Sequence, residues 1–282
     1  MHGGAGPVAG RDYSVVEDHL RELAVEGQSR LESGAAALDV VEFAVAELEA
    51  SGMYVAGKGS APNTAGYVEL DASIMDGATR EAGAVAAIVG VVNPISVARR
   101  IMQETPHVML SGKGALAFAS SLDLKLVTDP DEYYVLPVGV YEDEIYEQKH
   151  GTVGAVALDM SGGLAAATST GGTFGKLEGR IGDSGLIGPG TWADDDVAIS
   201  FTGMGEHIIR SGGAISIAHK VAAGASVDQA IQEVLDEIKR LGGDAGVIVV
   251  TKDGEIAMPY NSDGMKRASV SSASPLSAMT FG

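Results

Sequence analysis

The chain has 282 residues, 45% of them hydrophobic, which is enough for one large core or two modest ones. Its 38 acidic and 19 basic side chains leave a formal charge of -19, which repels phosphates and argues against nucleic acid as a partner. It has no cysteine, which excludes disulfides, thiolate metal sites and cysteine nucleophiles. Mean hydropathy is only +0.15, the apolar runs stop well short of membrane-spanning length, and no basic-then-apolar signal opens the chain, so the expectation is a cytoplasmic protein without a membrane partner.

The first half opens on a glycine-rich turn, His2-Gly3-Gly4-Ala5-Gly6. Apolar spacing predicts helices from about Val15 to Gly34 and from about Ala36 to Ala50, the second carrying Leu38, Val41, Val45 and Leu48 on one face. Met53 to Gly59 reads as a short strand and turn, and Val68 to Met75 alternates like a half-buried strand. Ala82 to Val91 is small and apolar, open to strand or buried helix. Asn93-Pro94 starts a helix to about Glu104, His107 to Leu110 is a short strand, and Lys113 to Ser120 another helix. From about Asp129 to His150 acidic residues crowd a stretch with two prolines, the best linker candidate in the chain.

The second half opens on a hairpin, Val153 to Asp159 and Leu164 to Thr170 around Ser161-Gly162-Gly163. After glycine-rich Gly171 to Gly190, Val197 to Thr202 is a strand, and helical patterns cover about Gly205 to Ala222 and Val227 to Leu241. A second hairpin, Val247 to Thr251 and Ile256 to Tyr260, closes the chain. Strands, paired helices and strands again favour a layered α+β sandwich over a doubly wound sheet.

Four stretches carry polar residues where a core would not want them. At Gly151-Thr152 a threonine opens an apolar strand directly behind the acidic linker. Cut there, it would carry nucleophile and base in one residue, because a free α-amine lies within reach of its own hydroxyl. An ordinary strand-opening threonine is the alternative, and spacing alone favours it. In Thr168-Ser169-Thr170-Gly171-Gly172 three hydroxyls end a strand. If the hairpin pairs as expected, Thr170 neighbours Thr152 and could hold its amine or oxygen, although turn chemistry also explains the composition. Gly179-Arg180-Ile181-Gly182-Asp183-Ser184 is either a solvated ion pair or a clamp in which Arg180 takes a carboxylate and Asp183 an ammonium. Thr202-Gly203-Met204-Gly205-Glu206 joins a strand end to a helix, a natural source of oxyanion donors, though alone it reads better as a plain helix start.

Other stretches offer less. Gly4 to Gly10 and Gly171 to Gly175 lack the phosphate-loop pattern, and the six histidines form no metal-ligand spacing. Asp194-Asp195-Asp196 is a solvated turn, or else a partner for a cationic substrate tail.

Taken together, these stretches resemble the plant-type L-asparaginase/isoaspartyl peptidase family of N-terminal-nucleophile hydrolases. The likeness is carried nearly end to end by His2 to Gly6, Glu69 to Gly77, Asn93-Pro94, His150 to Asp159, Thr168 to Gly172, Gly179 to Ser184 and Thr202 to Glu206. The resemblance implies a four-layer αββα sandwich, a single hydrolase domain over 1–282 that cuts itself into 1–151 and 152–282, with a mobile acidic linker at about 129–151 and assembly as (αβ)2. It implies Thr152 as nucleophile, Thr170 and Ser184 beside it, Arg180 on the substrate α-carboxylate, and Asp183 with Gly205 on the α-ammonium. Thr202 and Gly203 would form the oxyanion hole. No catalytic cofactor is implied. A structural sodium ion is, held mainly by backbone carbonyls in a loop containing Leu48, Glu49, Ser51, Tyr54, Ala56 and Lys58.

The expected activity is hydrolysis of β-aspartyl dipeptides through an acyl-enzyme that releases aspartate. The rivals are an L-asparaginase that releases ammonia and an uncleaved amino-acid-binding relative. His150-Gly151-Thr152 favours the isoaspartyl branch over the similar glycosylasparaginases, which usually carry aspartate before the threonine, and Asp194 to Asp196 suggest a basic leaving group such as that of β-Asp-Arg. Three departures stand out. Val55 occupies a segment where members commonly have asparagine, which removes a polar group near the nucleophile, and Ser60 to Gly66 replaces a more common sequence. Members also have a strand before His-Gly-Gly, so a late-assigned start or a missing inner strand, with lower stability, is expected here.

Overall fold

The protein is described by a computed structural model covering residues 1–141 and 151–282. Two sheets lie face to face and helices cover both outer surfaces, the four-layer αββα sandwich expected from the sequence. Among the described residues the larger sheet has eight strands. In spatial order they are β12 (Ser277–Met279), β11 (Met265–Ser269), β1 (His2–Ala5), β5 (Val153–Leu158), β6 (Leu164–Thr170), β2 (Leu70–Asp76), β3 (Ala82–Ile88) and β4 (Met109–Ser111). The smaller runs β10 (Ile256–Ala257), β9 (Ala245–Thr251), β8 (Val197–Gly203) and β7 (Thr191–Ala193).

Helices α1 (Ser14–Glu32), α2 (Ala37–Ala50) and α3 (Pro94–Glu104) cover the large sheet, their Leu20, Val41, Val45, Leu48 and Ile101 packing on Leu70, Ile74, Val85 and Val153. Helix α4 (Gly112–Ser120) and the single turn α5 (Pro130–Tyr133) follow. On the other side α6 (Gly205–Ser211), α7 (Gly213–Ala222) and α8 (Val227–Arg240) cover the small sheet. Helix α8 is read easily: Ser226 caps it by accepting from Gln229 N, and Val227, Ala230, Ile231, Val234, Leu235 and Ile238 recur every three to four residues on its buried face.

The β5–β6 hairpin positions the site. Register pairs Val153 with Ser169, so Thr152 enters the strand beside Thr170. The period of two sends Ala165 and Ala167 toward the helices, and Leu164, Ala166 and Thr168 toward the small sheet. That inner layer turns polar near the site. Thr168 Oγ1 lies 2.7 Å from Ser200 Oγ and accepts from Thr191 Oγ1 at 2.6 Å, while Ser200 Oγ is 3.0 Å from His2 Nε2. The three hydroxyls satisfy one another, so they can lie between two sheets without a large desolvation cost, whereas His2 Nδ1 has no hydrogen-bond partner.

Several expectations need correction. His2 to Ala5 is not a turn but an inner strand. Its glycines are needed because a side chain at Gly3 would overlap the Tyr54 ring, and Gly4 (φ +105°) packs on the Thr152 backbone. Met53 to Gly59 holds no strand, only bends and a short 3-10 helix at Gly57–Gly59. The helix expected over Gly205 to Ala222 breaks at Gly212, whose φ of +75° is left-handed. Strands β7, β11 and β12 were unexpected, so the chain does not end on the β9–β10 hairpin.

The expected linker is ordered in its first part. Asp129 caps α5, Val135 N donates to Lys58 O and Val138 N to Met53 O. The remainder, residues 142–150 with His150, lies outside the described residues. Strand β1 pairs with β5 only at His2↔Gly154, and beside Ala155 to Leu158 and Met1 is a cavity of about 410 Å³. Burial pushes the Met1 ammonium down to about 5. No helix among the described residues is long and apolar enough to cross a membrane.

Candidate active site

One small cleft gathers Gly151, Thr152, Thr170, Arg180, Asp183, Ser184 and Gly203, together with Gly172, Thr173 and Gly182. These residues come from four separate segments between Gly151 and Gly203. Thr152 is buried at the head of β5, with its Oγ1 3.3 Å from Thr170 Oγ1 and 3.4 Å from Ser184 Oγ. Thr170 Oγ1 also donates to Gly151 O at 2.6 Å and accepts from Gly172 N at 2.9 Å. The Gly151-Thr152 peptide is thus held from two sides: Gly4 lies against Thr152 N and O, and any side chain on Gly151 would overlap Val55.

Thr202 is the last residue but one of β8, next to the cleft residue Gly203. Its Oγ1 accepts from Ala5 N at 3.0 Å, which leaves the hydroxyl hydrogen to be donated elsewhere. Gly203 next to it has φ of +140°, and a Cβ there would lie 2.5 Å from Asp244 O, so only glycine lets the chain turn here.

Arg180 and Asp183 line the same cleft. A Cβ on Gly205 would sit 2.9 Å from Asp183 Oδ1 and 3.0 Å from Arg180 Nη2, so the helix start of α6 abuts both groups. Asp183 is buried, its Oδ2 has no hydrogen-bond partner, and burial pushes its carboxyl up to about 7 despite the nearby guanidinium. An unpartnered buried carboxylate oxygen in a cleft suits an incoming ammonium. Ser184 is fixed from behind, its carbonyl accepting from Ser73 Oγ at 2.7 Å.

The reading of single stretches missed three supports. Glu69 accepts from Gly179 N at 3.0 Å, from Asn63 Nδ2 at 2.8 Å, and through its carbonyl from Lys176 Nζ at 2.8 Å, so it anchors the loop that carries Arg180. Asp71, also buried, accepts from Ala87 N at 2.8 Å. Glu206 makes two 2.8 Å bonds to Arg180. The alternation gave no warning of the first two: Glu69 and Asp71 alternate with apolar residues as on a solvated strand face, yet both are buried.

Asp194 to Asp196 are not at the site. Asp194 lies against Gly77, beyond the Asp76↔Ala165 end of β2, whereas the cleft adjoins the Asp71↔Thr170 end, about 17 Å away at strand rise. Asp194 accepts from Trp192 Nε1, Asp196 N and Val197 N, so it orders its own turn. The expectation of a basic leaving group loses this support.

The loop expected to bind sodium also has a definite form. Carbonyl oxygens crowd its glycines: Cβ atoms on Gly57 and Gly59 would run into Glu49 O, Tyr54 O and Gly52 O. Leu48 O, Tyr54 O, Ala56 O and Lys58 O each accept one hydrogen bond, from Ser51 Oγ, Ala56 N, Gly59 N and Val135 N, and each retains a second lone pair. Neutral, hard oxygen donors of this kind fit an alkali cation. The Glu49 side chain is committed elsewhere, accepting from Asn93 Nδ2 and Ile95 N at the start of α3, and burial pushes it up to about 8.

A sandwich of two sheets between helical layers, with a threonine heading an inner strand in the cleft, is the architecture of N-terminal-nucleophile hydrolases. The chain belongs to the asparaginase family, whose model matches residues 1–278. It is 41% identical to the isoaspartyl peptidase of Salmonella typhimurium, over 95% of this chain and 93% of that one. The isoaspartyl peptidase of Escherichia coli is 40% identical over 95% and 91%, and the isoaspartyl peptidase/L-asparaginase of Homo sapiens 40% over 93% and 89%.

Proposed function

We propose that this protein is an isoaspartyl peptidase that cuts itself between Gly151 and Thr152 and uses the freed threonine as its nucleophile. The observation that carries the reading is the position of Thr152, whose hydroxyl sits between those of Thr170 and Ser184 while Thr170 holds the carbonyl of the preceding residue. In self-cleavage, Thr152 Oγ attacks the Gly151 carbonyl carbon. The oxygen's growing negative charge is stabilised by the Thr170 hydroxyl, and the C–N bond breaks as the acyl group moves from nitrogen to oxygen and the Thr152 hydroxyl proton passes to the departing nitrogen. Water then hydrolyses the ester, leaving a free α-amine on Thr152.

That amine is the base for turnover. Thr152 Oγ attacks the side-chain carbonyl of a β-aspartyl group and the amine takes the proton. The oxyanion is received by the Thr202 hydroxyl and the Gly203 backbone, the leaving amine takes a proton and departs, and water releases aspartate from the acyl-enzyme. Arg180 binds the α-carboxylate; Asp183, with the Gly205 backbone close by, binds the α-ammonium. A donor to the oxyanion contributes about 3–4 kcal/mol of barrier lowering in such sites, so the cleft can hold much of the rate enhancement. The names of the relatives support the substrate class.

Asparagine presents the same head group and side-chain carbonyl, so slower ammonia release from L-asparagine is the second activity. Val55, an apolar residue beside the scissile glycine, supports that ranking. Comparing kcat/KM for β-aspartyl-leucine and L-asparagine tests it: the dipeptide is expected to win, and a clear preference for asparagine overturns it. A sodium ion held by the carbonyls of the Leu48 to Lys58 loop would stiffen the backbone that carries Val55, and the two fragments would remain paired and assemble as (αβ)2.

A further inference from the structure

We propose that Glu206 is a positioning residue for substrate recognition, one that orients the Arg180 guanidinium and keeps it apart from Asp183. The inference rests on the reading of Arg180 as the carboxylate clamp. Glu206 takes Arg180 Nε and Nη2 with both carboxylate oxygens, each bond 2.8 Å long. A guanidinium has five N–H donors in a fixed plane, so engaging this edge leaves Nη1 and the second Nη2 hydrogen for another carboxylate. Among the described residues no acceptor bonds to Nη1.

The surroundings leave that second edge open. Cβ atoms on Gly182 and Gly205 would lie 2.8 Å from Nη1 and 3.0 Å from Nη2, so two glycines clear the space around the guanidinium. The Arg180 side chain is 17% exposed and that of Glu206 58%. An ion pair with one partner this exposed adds little stability, so orientation is the larger effect of Glu206.

The alternative partners make orientation necessary. Arg180 also feels the charges of Asp183 and Asp71. Asp183 lines the same cleft and has an unpartnered oxygen. Freed from Glu206, the guanidinium turns toward that oxygen. Such a collapse would remove the α-carboxylate and α-ammonium sites together. Glu206 therefore preserves a clamp with two separate ends.

The test is steady-state kinetics of wild type, Glu206→Ala, Glu206→Gln and Arg180→Ala with β-aspartyl-leucine and with its analogue amidated at the aspartyl α-carboxyl. For β-aspartyl-leucine, KM is expected to rise about tenfold in Glu206→Ala, with kcat changing far less, the mark of lost ground-state binding. Glu206→Gln, the same size but able to accept only one of the two bonds, is expected to fall between, and it carries the test if the alanine variant fails to fold. The carboxamide cannot use the open edge, so its KM should change by less than about twofold. An unchanged KM in both Glu206 variants, with a raised KM in Arg180→Ala, overturns the role of Glu206 and leaves the clamp standing. An equal rise for both substrates also overturns it. An unchanged KM in Arg180→Ala overturns the clamp itself.

Discussion

Thr170 Oγ1 donates a 2.6 Å hydrogen bond to the carbonyl oxygen of Gly151. The hydroxyl of one strand end thus reaches across to the peptide that precedes its neighbour, and the backbone N–H of Gly172 orients it from behind. In the proposed self-cleavage this would place a donor on the oxygen that becomes the oxyanion.

Replacing Thr170 by valine keeps the shape and removes the donor. The rate of fragment appearance is expected to fall roughly 10²–10³-fold, the loss for one oxyanion donor. Thr170→Ser should retain most of it. A time course on denaturing gels measures both, and wild-type cleavage in Thr170→Val would remove Thr170 from the mechanism.

Gly151→Ala puts a methyl group into Val55, and self-cleavage is expected to slow severely or stop. Overpacking of this kind costs about 1–3 kcal/mol, so trimming the opposing side chain should repay it. The double variant Gly151→Ala/Val55→Ala is therefore expected to cut faster than Gly151→Ala alone. If Val55→Ala gives no rescue, the requirement for glycine has another origin.

The layered α+β architecture was legible in the sequence, and several of its strands were not. Helices α1, α2, α3 and α8 and the β5–β6 hairpin follow from spacing, because each buries one regular face. Strand β1 was hidden because His-Gly-Gly-Ala has turn composition, and only the approach of Tyr54 and Thr152 explains its glycines. Strand β11 was hidden because Lys266, Arg267 and Ser269 carry no alternating pattern, Arg267 being held inside by Met265 O and Gly282 O. Arg180 and Asp183 were visible as a pair. Glu206 was not, because a carboxylate in the first turn of a helix needs no explanation beyond the helix dipole until its partner is seen.

Asp183 should impose a pH dependence. Its carboxyl is pushed up to about 7 by burial, and a substrate ammonium needs the carboxylate. KM for a β-aspartyl dipeptide is expected to rise as pH falls below about 7. For stability the sign is opposite. The folded chain holds this proton more tightly than the unfolded chain, so the group favours folding at acid pH and becomes a penalty as pH rises through about 7. Asp183→Asn should accordingly raise Tm at pH 8 by a few degrees more than at pH 5 while weakening substrate binding strongly. Equal Tm changes at both pH values would contradict the shift.

The carbonyl loop around Gly57 and Gly59 predicts a dependence on sodium. Replacing sodium chloride by tetramethylammonium chloride at equal ionic strength should lower Tm, because a cation bound only by the folded chain stabilises it by mass action. Gly59→Ala, whose methyl group would overlap Tyr54 O, should lower Tm and abolish the sodium response. A wild-type Tm indifferent to the cation would remove the ion from the account.

Thr152 is the point on which everything else turns, and intact mass spectrometry of wild type and Thr152→Ala after prolonged incubation tests it most directly. Two wild-type fragments meeting between Gly151 and Thr152, with a single uncut and inactive chain in the variant, are the predicted result. An uncut wild type that hydrolyses β-aspartyl dipeptides would contradict it.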